Sequence, residues 1–204
     1  MNPDKHVIYD FMRSRHSVRQ FQDKPVPQGA LMRMLEMACL APSAHNRQPW
    51  RFVVLGQGET RRKLVEAMGA KYREDMEADG LQPETVETRL RRSQERLLGA
   101  PLAILLCLTM QDMDTYPDAR RNQAEREMAI QSASLAGGHL LLAAHAEGLG
   151  GCWTCAPLFA PEVVSKTLEL PEDWEPQACI LLGVPIAPGE ASERKPVDEV
   201  TLWG

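Results

Sequence analysis

Two hydrophobic patterns divide the chain: apolar positions spaced three or four apart, and short unbroken apolar runs. The first predicts helices. Val7, Ile8 and Phe11 share one face of a short helix over residues 4–13. Pro27 opens a second helix, with Leu31, Met34, Leu35 and Ala38 at helical spacing, which stops before Pro42. Residues 59–78 form a polar helix that Gly80 and Pro83 end, and residues 84–98 form a second charged one. Residues 18–21 are expected to be extended, and residues 51–55 to be a strand. Leu102 to Leu108, after Gly99-Ala100-Pro101, is an apolar run of strand length.

Residues 120–147 predict the longest helix. Its first half is charged. From Ala129 onward nearly every face is apolar or small, so burial on all sides is expected, most simply against a second subunit. Residues 148–151 end it. A short strand, a helix over residues 161–168 and a strand over residues 178–182 follow, then a tail from Pro185 with Pro and charge but little periodicity. Helices with a few strands in irregular alternation define an α+β class. No internal repeat or linker appears, so residues 1–204 read as one domain.

Composition narrows the function. An apolar fraction of 44% with 25% charged residues is that of a soluble globular chain. The net charge of -5 argues against a nucleic-acid partner, which calls for a basic face. No signal pattern opens the sequence and no apolar run reaches membrane-spanning length; Leu140 to Ala144 is cut by His139 and His145. Five cysteines without framework spacing point to a reducing cytoplasm.

Two segments carry candidate chemistry. Arg15-His16-Ser17-Val18-Arg19 gathers two guanidiniums, an imidazole and a hydroxyl, and guanidiniums match phosphate oxygens with paired hydrogen bonds. Alone, such a run is more often a solvated turn. The second is Ala41-Pro42-Ser43-Ala44-His45-Asn46-Arg47-Gln48-Pro49-Trp50, a polar loop entering an apolar strand. Its prolines also read as punctuation, and Trp50 as core. Together the segments suit a ligand with a phosphate at one end and a polar ring at the other, such as flavin mononucleotide (FMN). Cys152-Trp153-Thr154-Cys155 could be a redox dithiol or half a zinc site. No second C-x-x-C or H-x-x-x-H completes a metal centre, and the pair follows glycines rather than opening a helix, so packing on a strand is expected and no metal. His139 and His145 read as satisfied core groups. No P-loop, G-x-G-x-x-G or Ser-His-Asp arrangement appears.

Residues 15–21, then Pro25-Val26-Pro27, a helix and residues 41–50, resemble the N-terminal signature of the nitroreductase family. The resemblance continues at Leu149-Gly150-Gly151-Cys152-Trp153 and Leu182-Gly183. It implies a mainly antiparallel sheet flanked by helices, in an intertwined homodimer whose C-terminal tail wraps the partner. It places Arg15 and Arg19 at the phosphate and ribityl end of FMN, with His16 and Ser17 adding hydrogen bonds. Ser43 and Asn46 are placed near the ring, with Gln48 close behind. The backbone of Thr154, Cys155 and Ala156 approaches the reactive nitrogen. Arg194 returns to the phosphate from the tail. The implied activity is hydride transfer from NADH or NADPH, through the flavin, to an electron-poor small molecule, with no side chain as general acid or base. A flavin-fragmenting enzyme of the same fold and a non-catalytic flavin-binding protein stay open. Tyr116-Pro117-Asp118-Ala119, residues 148–153 and residues 170–176 further resemble the flavin domain of ligases that complete a deazaflavin coenzyme, a domain that reduces a precursor of that coenzyme.

Overall fold

The computed structural model describes residues 4–189 and 192–204. The start of the chain (residues 1–3) and tail residues 190 and 191 lie outside them. In chain order the elements are α1 (Lys5–Ser14), α2 (Gln28–Cys39), β1 (Trp50–Gly56), α3 (Glu59–Ala78), α4 (Pro83–Leu98), β2 (Leu102–Leu108), α5 (Ala119–Ala146), β3 (Gly150–Thr154), α6 (Pro161–Leu168), β4 (Glu175–Gly183) and α7 (Val197–Val200). Two 3-10 turns, Ala44–Asn46 and Ala156–Phe159, join them.

The four strands form one antiparallel sheet in the order β1-β2-β4-β3, consistent with the expected α+β class. Every residue of β2 is buried, which is why it reads as an unbroken apolar run: it is an inner strand with both faces covered. Strand periodicity then sorts the core into two layers. Ile104, Ile180 and Leu182 pack with Met34 and Ala38 of α2 and Leu140 and Ala144 of α5. Leu105, Cys107, Cys179 and Leu181 face the other way, onto Leu64, Val65 and Met68 of α3 and Val164 of α6.

Four features depart from the sequence pattern. β4 begins at Glu175 rather than at residue 178, because a bulge between Leu106 and Cys107 lets the sheet accommodate Pro176. Cys155 lies beyond the strand, capping the second 3-10 turn. The back half of α5 is not covered on all sides by its own chain. Ala129, Ala133, Ala136, Leu140 and Ala144 are buried, while Leu135 is about half exposed. Likewise the apolar face expected for α1 is open: Val7 and Ile8 are exposed and the helix has no buried residue.

Candidate functional site

Residues 15–19 leave α1 and run beside the free edge of β3. Ser17 forms a parallel bridge with Gly151, and the Val18 N–H donates to the Gly151 carbonyl at 3.0 Å. The glycines make this approach possible. A Cβ on Gly150 would lie 2.6 Å from Cβ of Val18, and one on Gly151 would lie 2.5 Å from Cδ2 of Leu141. Val18 is thereby buried in the core while Ser17 and Arg19 stay exposed. Among the described residues no ion pair engages Arg15 or Arg19, so both guanidiniums are available to an anion.

Arg15 and His16 border a cavity of about 180 Å3 with Leu141, His145, residues 148–151 and Pro185. That volume is below the range for a whole drug-sized ligand and suits one end of one. The Ser14 hydroxyl donates to the Phe11 carbonyl at 2.9 Å and so accepts from Nε2 of His145 at 2.8 Å. The His145 imidazole also lies 4.8 Å from the Phe11 ring. Burial, then the charges of His16 and Arg15, hold its pKa below the ordinary histidine value. Sequence reasoning gave His145 no role. It lies about 130 positions from residue 15, and no spacing rule connects the two.

From Ser17, β3 leads to Thr154, Cys155 and Ala156. Thr154 is three residues past Gly151, about 10 Å along the strand. Thr154 and Ala156 are half-buried and Cys155 is exposed. The C-x-x-C is divided by this geometry: Cys152 is buried against the α3 layer, while Sγ of Cys155 accepts from Nε1 of Trp153 at 3.2 Å. All five cysteines are free. The thiols of Cys107 and Cys179 are pushed up to about 12 by burial.

The loop of residues 43–48 is built differently. His45, Asn46 and Gln48 all have positive φ (49°, 54° and 51°), a concentration that side-chain bonding must sustain. The Ser43 hydroxyl accepts from the Gln48 N–H at 3.1 Å, and the Gln48 side-chain amide reaches Oδ1 of Asn46 at 3.3 Å. Ser132 of α5 accepts from the Ala44 N–H at 3.2 Å, and Arg47 pairs with Asp114 at 2.5 Å. His45, Asp114 and the buried Glu125 offer ligand-type atoms within 4.8 Å of one another. Those carboxylates already hold Arg47 and the Asp114 N–H.

The structure thus brings Arg15, His16, Ser17 and Arg19 together with Thr154, Cys155 and Ala156 along one sheet edge. It does not bring Ser43, Asn46 and Gln48 to them. Their loop enters β1 at Trp50, on the opposite edge of the sheet and at the opposite end from Ser17, while Thr154 is level with Val53, three strands away from β1. Counting strands and register, Ser17 and Trp50 are separated by about 20 Å along the strands and about 20 Å across them. Arg194 is exposed and donates to the carbonyls of Ser192 and Glu193 at 2.7 and 3.1 Å. Five positions earlier, Gly189 lies against the His16 ring: a Cβ there would be 2.3 Å from Nε2.

An antiparallel sheet between helical layers, with a basic segment zipped to a glycine-bearing edge strand, defines an α+β protein. The chain belongs to the Nitroreductase family, whose profile matches residues 12–184. It is 33% identical over 192 residues to an NADH dehydrogenase of Thermus thermophilus, covering 93% of this chain and 92% of that one. It is 32% identical over 198 residues to a 5,6-dimethylbenzimidazole synthase of Rhodospirillum rubrum, covering 93% and 84%. Among solved structures, one from Desulfovibrio desulfuricans in complex with FMN superposes with a TM-score of 0.74 at 25% identity, covering 100% of this chain and 98% of that one.

Proposed function

We propose that this chain is an FMN-dependent oxidoreductase, acting as a homodimer, that takes hydride from NADH or NADPH and delivers it to an electron-poor acceptor such as a nitroaromatic, a quinone or a deazaflavin-coenzyme precursor. The observation that carries the reading is the pairing of residues 15–19 with β3, which puts a segment whose Arg15 and Arg19 have no ion pair among the described residues beside Gly151, about 10 Å along the strand from its end at Thr154. Arg15 and Arg19 hold the phosphate, with His16 and Ser17 on the ribityl chain and Arg194 arriving from the tail that passes His16 at Gly189. Backbone groups of Thr154, Cys155 and Ala156 border the ring. When bound, FMN supplies the two-electron hydride chemistry, and water or the substrate itself supplies the proton that completes the transfer. The protein's contribution is binding and orientation, and its thiols have no part. Five free cysteines support cytoplasmic residence.

The homodimer rests on two features of one chain. The hydroxyl and amides of Ser43, Asn46 and Gln48 suit the polar edges of a buried ring. They are out of reach of their own chain's basic segment, so they serve the partner's flavin. Apolar side chains stand uncovered on α1 (Val7, Met12), on α2 (Met37) and just past its end (Leu40), on α5 (Leu135) and on the tail, where Leu202 is 97% and Trp203 79% exposed. A second copy covers them.

The test is spectroscopic. The purified protein should be yellow, release FMN on heating, and bleach anaerobically with NADH or NADPH until a quinone restores the colour. FAD, or no flavin after reconstitution, overturns the reading. Similarity to the 5,6-dimethylbenzimidazole synthase favours a second reading, cleavage of the flavin itself. Under oxygen with donor and no acceptor, that reading requires permanent loss of flavin absorbance and release of dimethylbenzimidazole. Colour that returns intact rejects it, and absence of donor oxidation leaves a binding protein.

A further inference from the structure

Glu125, in the second turn of α5, is the one acidic side chain buried among the described residues, with 3% of its surface exposed. No Lys, Arg or His of the described residues comes within ion-pair distance of it. Its one hydrogen bond is long: Oε2 accepts from the Asp114 N–H at 3.3 Å, and Oε1 has no partner among the described residues. A buried carboxylate is costly to keep ionised without a counter-charge, so this position calls for a cation.

Two further ligand groups meet it. Atoms of Glu125, Asp114 and His45 suited to bind a metal all lie within 4.8 Å of one another. They come from α5, from the connection between β2 and α5, and from the 3-10 turn Ala44–Asn46. His45 and Asp114 are 69 positions apart and Asp114 and Glu125 are 11 apart, so no motif spacing announces the set. Each group keeps a free atom. Arg47 takes Oδ1 of Asp114 and leaves Oδ2, and the exposed His45 imidazole has no hydrogen-bond partner among the described residues. The turn that carries His45 is already anchored to α5, where Ser132 accepts from the Ala44 N–H at 3.2 Å.

We infer that His45, Asp114 and Glu125 form a binding site for a divalent transition-metal ion of the zinc type. Two carboxylates balance its charge. The imidazole selects such an ion over magnesium or calcium, which prefer oxygen ligands alone. Atoms bonded to one zinc at about 2.0–2.2 Å stand about 3–4 Å apart, a contraction that rotation of the exposed His45 ring supplies. Three protein ligands leave a fourth position to water. The ion clamps the loop of residues 43–48 to α5 through His45. The site shares no residue with the flavin contacts proposed above and does not depend on them.

The experiment is calorimetric titration of the purified, chelator-treated protein with zinc chloride and, separately, magnesium chloride. Zinc should bind at one ion per chain, and magnesium at least about tenfold more weakly. H45A and E125Q should each weaken zinc by at least about tenfold. R47Q removes a positive charge that competes for Asp114 and should tighten zinc about twofold or more, a gain that a merely structural role for these residues does not produce. Zinc should raise the melting temperature of the wild type and leave that of H45A unchanged. The proposal is overturned by no zinc binding, by equal binding of magnesium, or by weaker binding to R47Q. It is also overturned by zinc capture that survives H45A or E125Q, as adventitious capture by the exposed Cys39 or Cys155 would.

Discussion

The two ends of the candidate site are held by different physics. The basic segment is fixed by backbone: Ser17 and Val18 extend the sheet at Gly151, and glycines clear the space. The loop of residues 43–48 is fixed by side chains that hold three left-handed residues in place. Backbone pairing defines where an anion sits and tolerates side-chain change. A loop maintained by hydroxyls and amides is more easily altered without loss of the fold. The first end is expected to supply affinity, and the second the fit to one particular ring.

The largest effect expected from this contrast is on flavin binding. R15A/R19A should weaken FMN by about two to four decades, since each lost charge-assisted hydrogen bond is worth about 1.5–3 kcal/mol. Titration of the apo-protein reads this directly. S43A/N46A should cost about one decade or less in the same titration. Equal losses would erase the distinction.

Next comes the edge itself. Gly150→Ala forces a methyl group against the Cβ of Val18, which cannot swing away as a side-chain tip can. Overpacking of this kind costs about 1–3 kcal/mol. Chemical denaturation should show that loss, and FMN affinity should fall with it, because Val18 carries Arg15 and Arg19 with it. Gly151→Ala meets only the end of Leu141 and Leu182 and should cost less. A smaller effect is expected in the loop: Ser43→Ala leaves the Gln48 N–H without its acceptor, a loss of about 1 kcal/mol by the same measurement.

The smallest expected effect is in pH dependence. Burial, with His16 and Arg15, lowers the pKa of His145 in the folded chain, so the folded state takes up its proton less readily than the unfolded state. Its contribution is complete above the unfolded value of about 6.5 and is lost as pH falls through the folded value. Apo-protein stability should therefore decline from neutral pH into that range. His145→Gln should flatten that part of the curve. An unchanged slope would remove His145 from the basic cavity's electrostatics.

Much of the edge half was legible in the sequence, because charge clustering and a glycine pair are local signals. What joins them was not: Ser17 and Gly151 are 134 positions apart and meet only through the sheet. The loop half was legible as polar and Pro-bounded, but its place was hidden. Residues 15–19 and 43–48 look like neighbours in sequence. α2, 12 residues and so about 18 Å long, helps carry the chain from one sheet edge to the other. The back half of α5 shows the same limit. Its small, apolar composition foretold close packing, but the pattern could not say which faces α2 and the sheet would occupy and which would stay open.

The central claim is that one chain holds half a site and a second chain completes it. A mixed dimer tests this most directly. Chains carrying R15A/R19A and chains carrying S43A/N46A are given different affinity tags, co-expressed, and purified through both tags. Each mixed dimer then has one site with both lesions and one site with neither. The account predicts one FMN per dimer at wild-type affinity, while each parent homodimer binds at its own weakened affinity. Two sites, one with the affinity of each parent variant and neither with that of wild type, would mean that each chain builds its flavin site alone and would contradict the account.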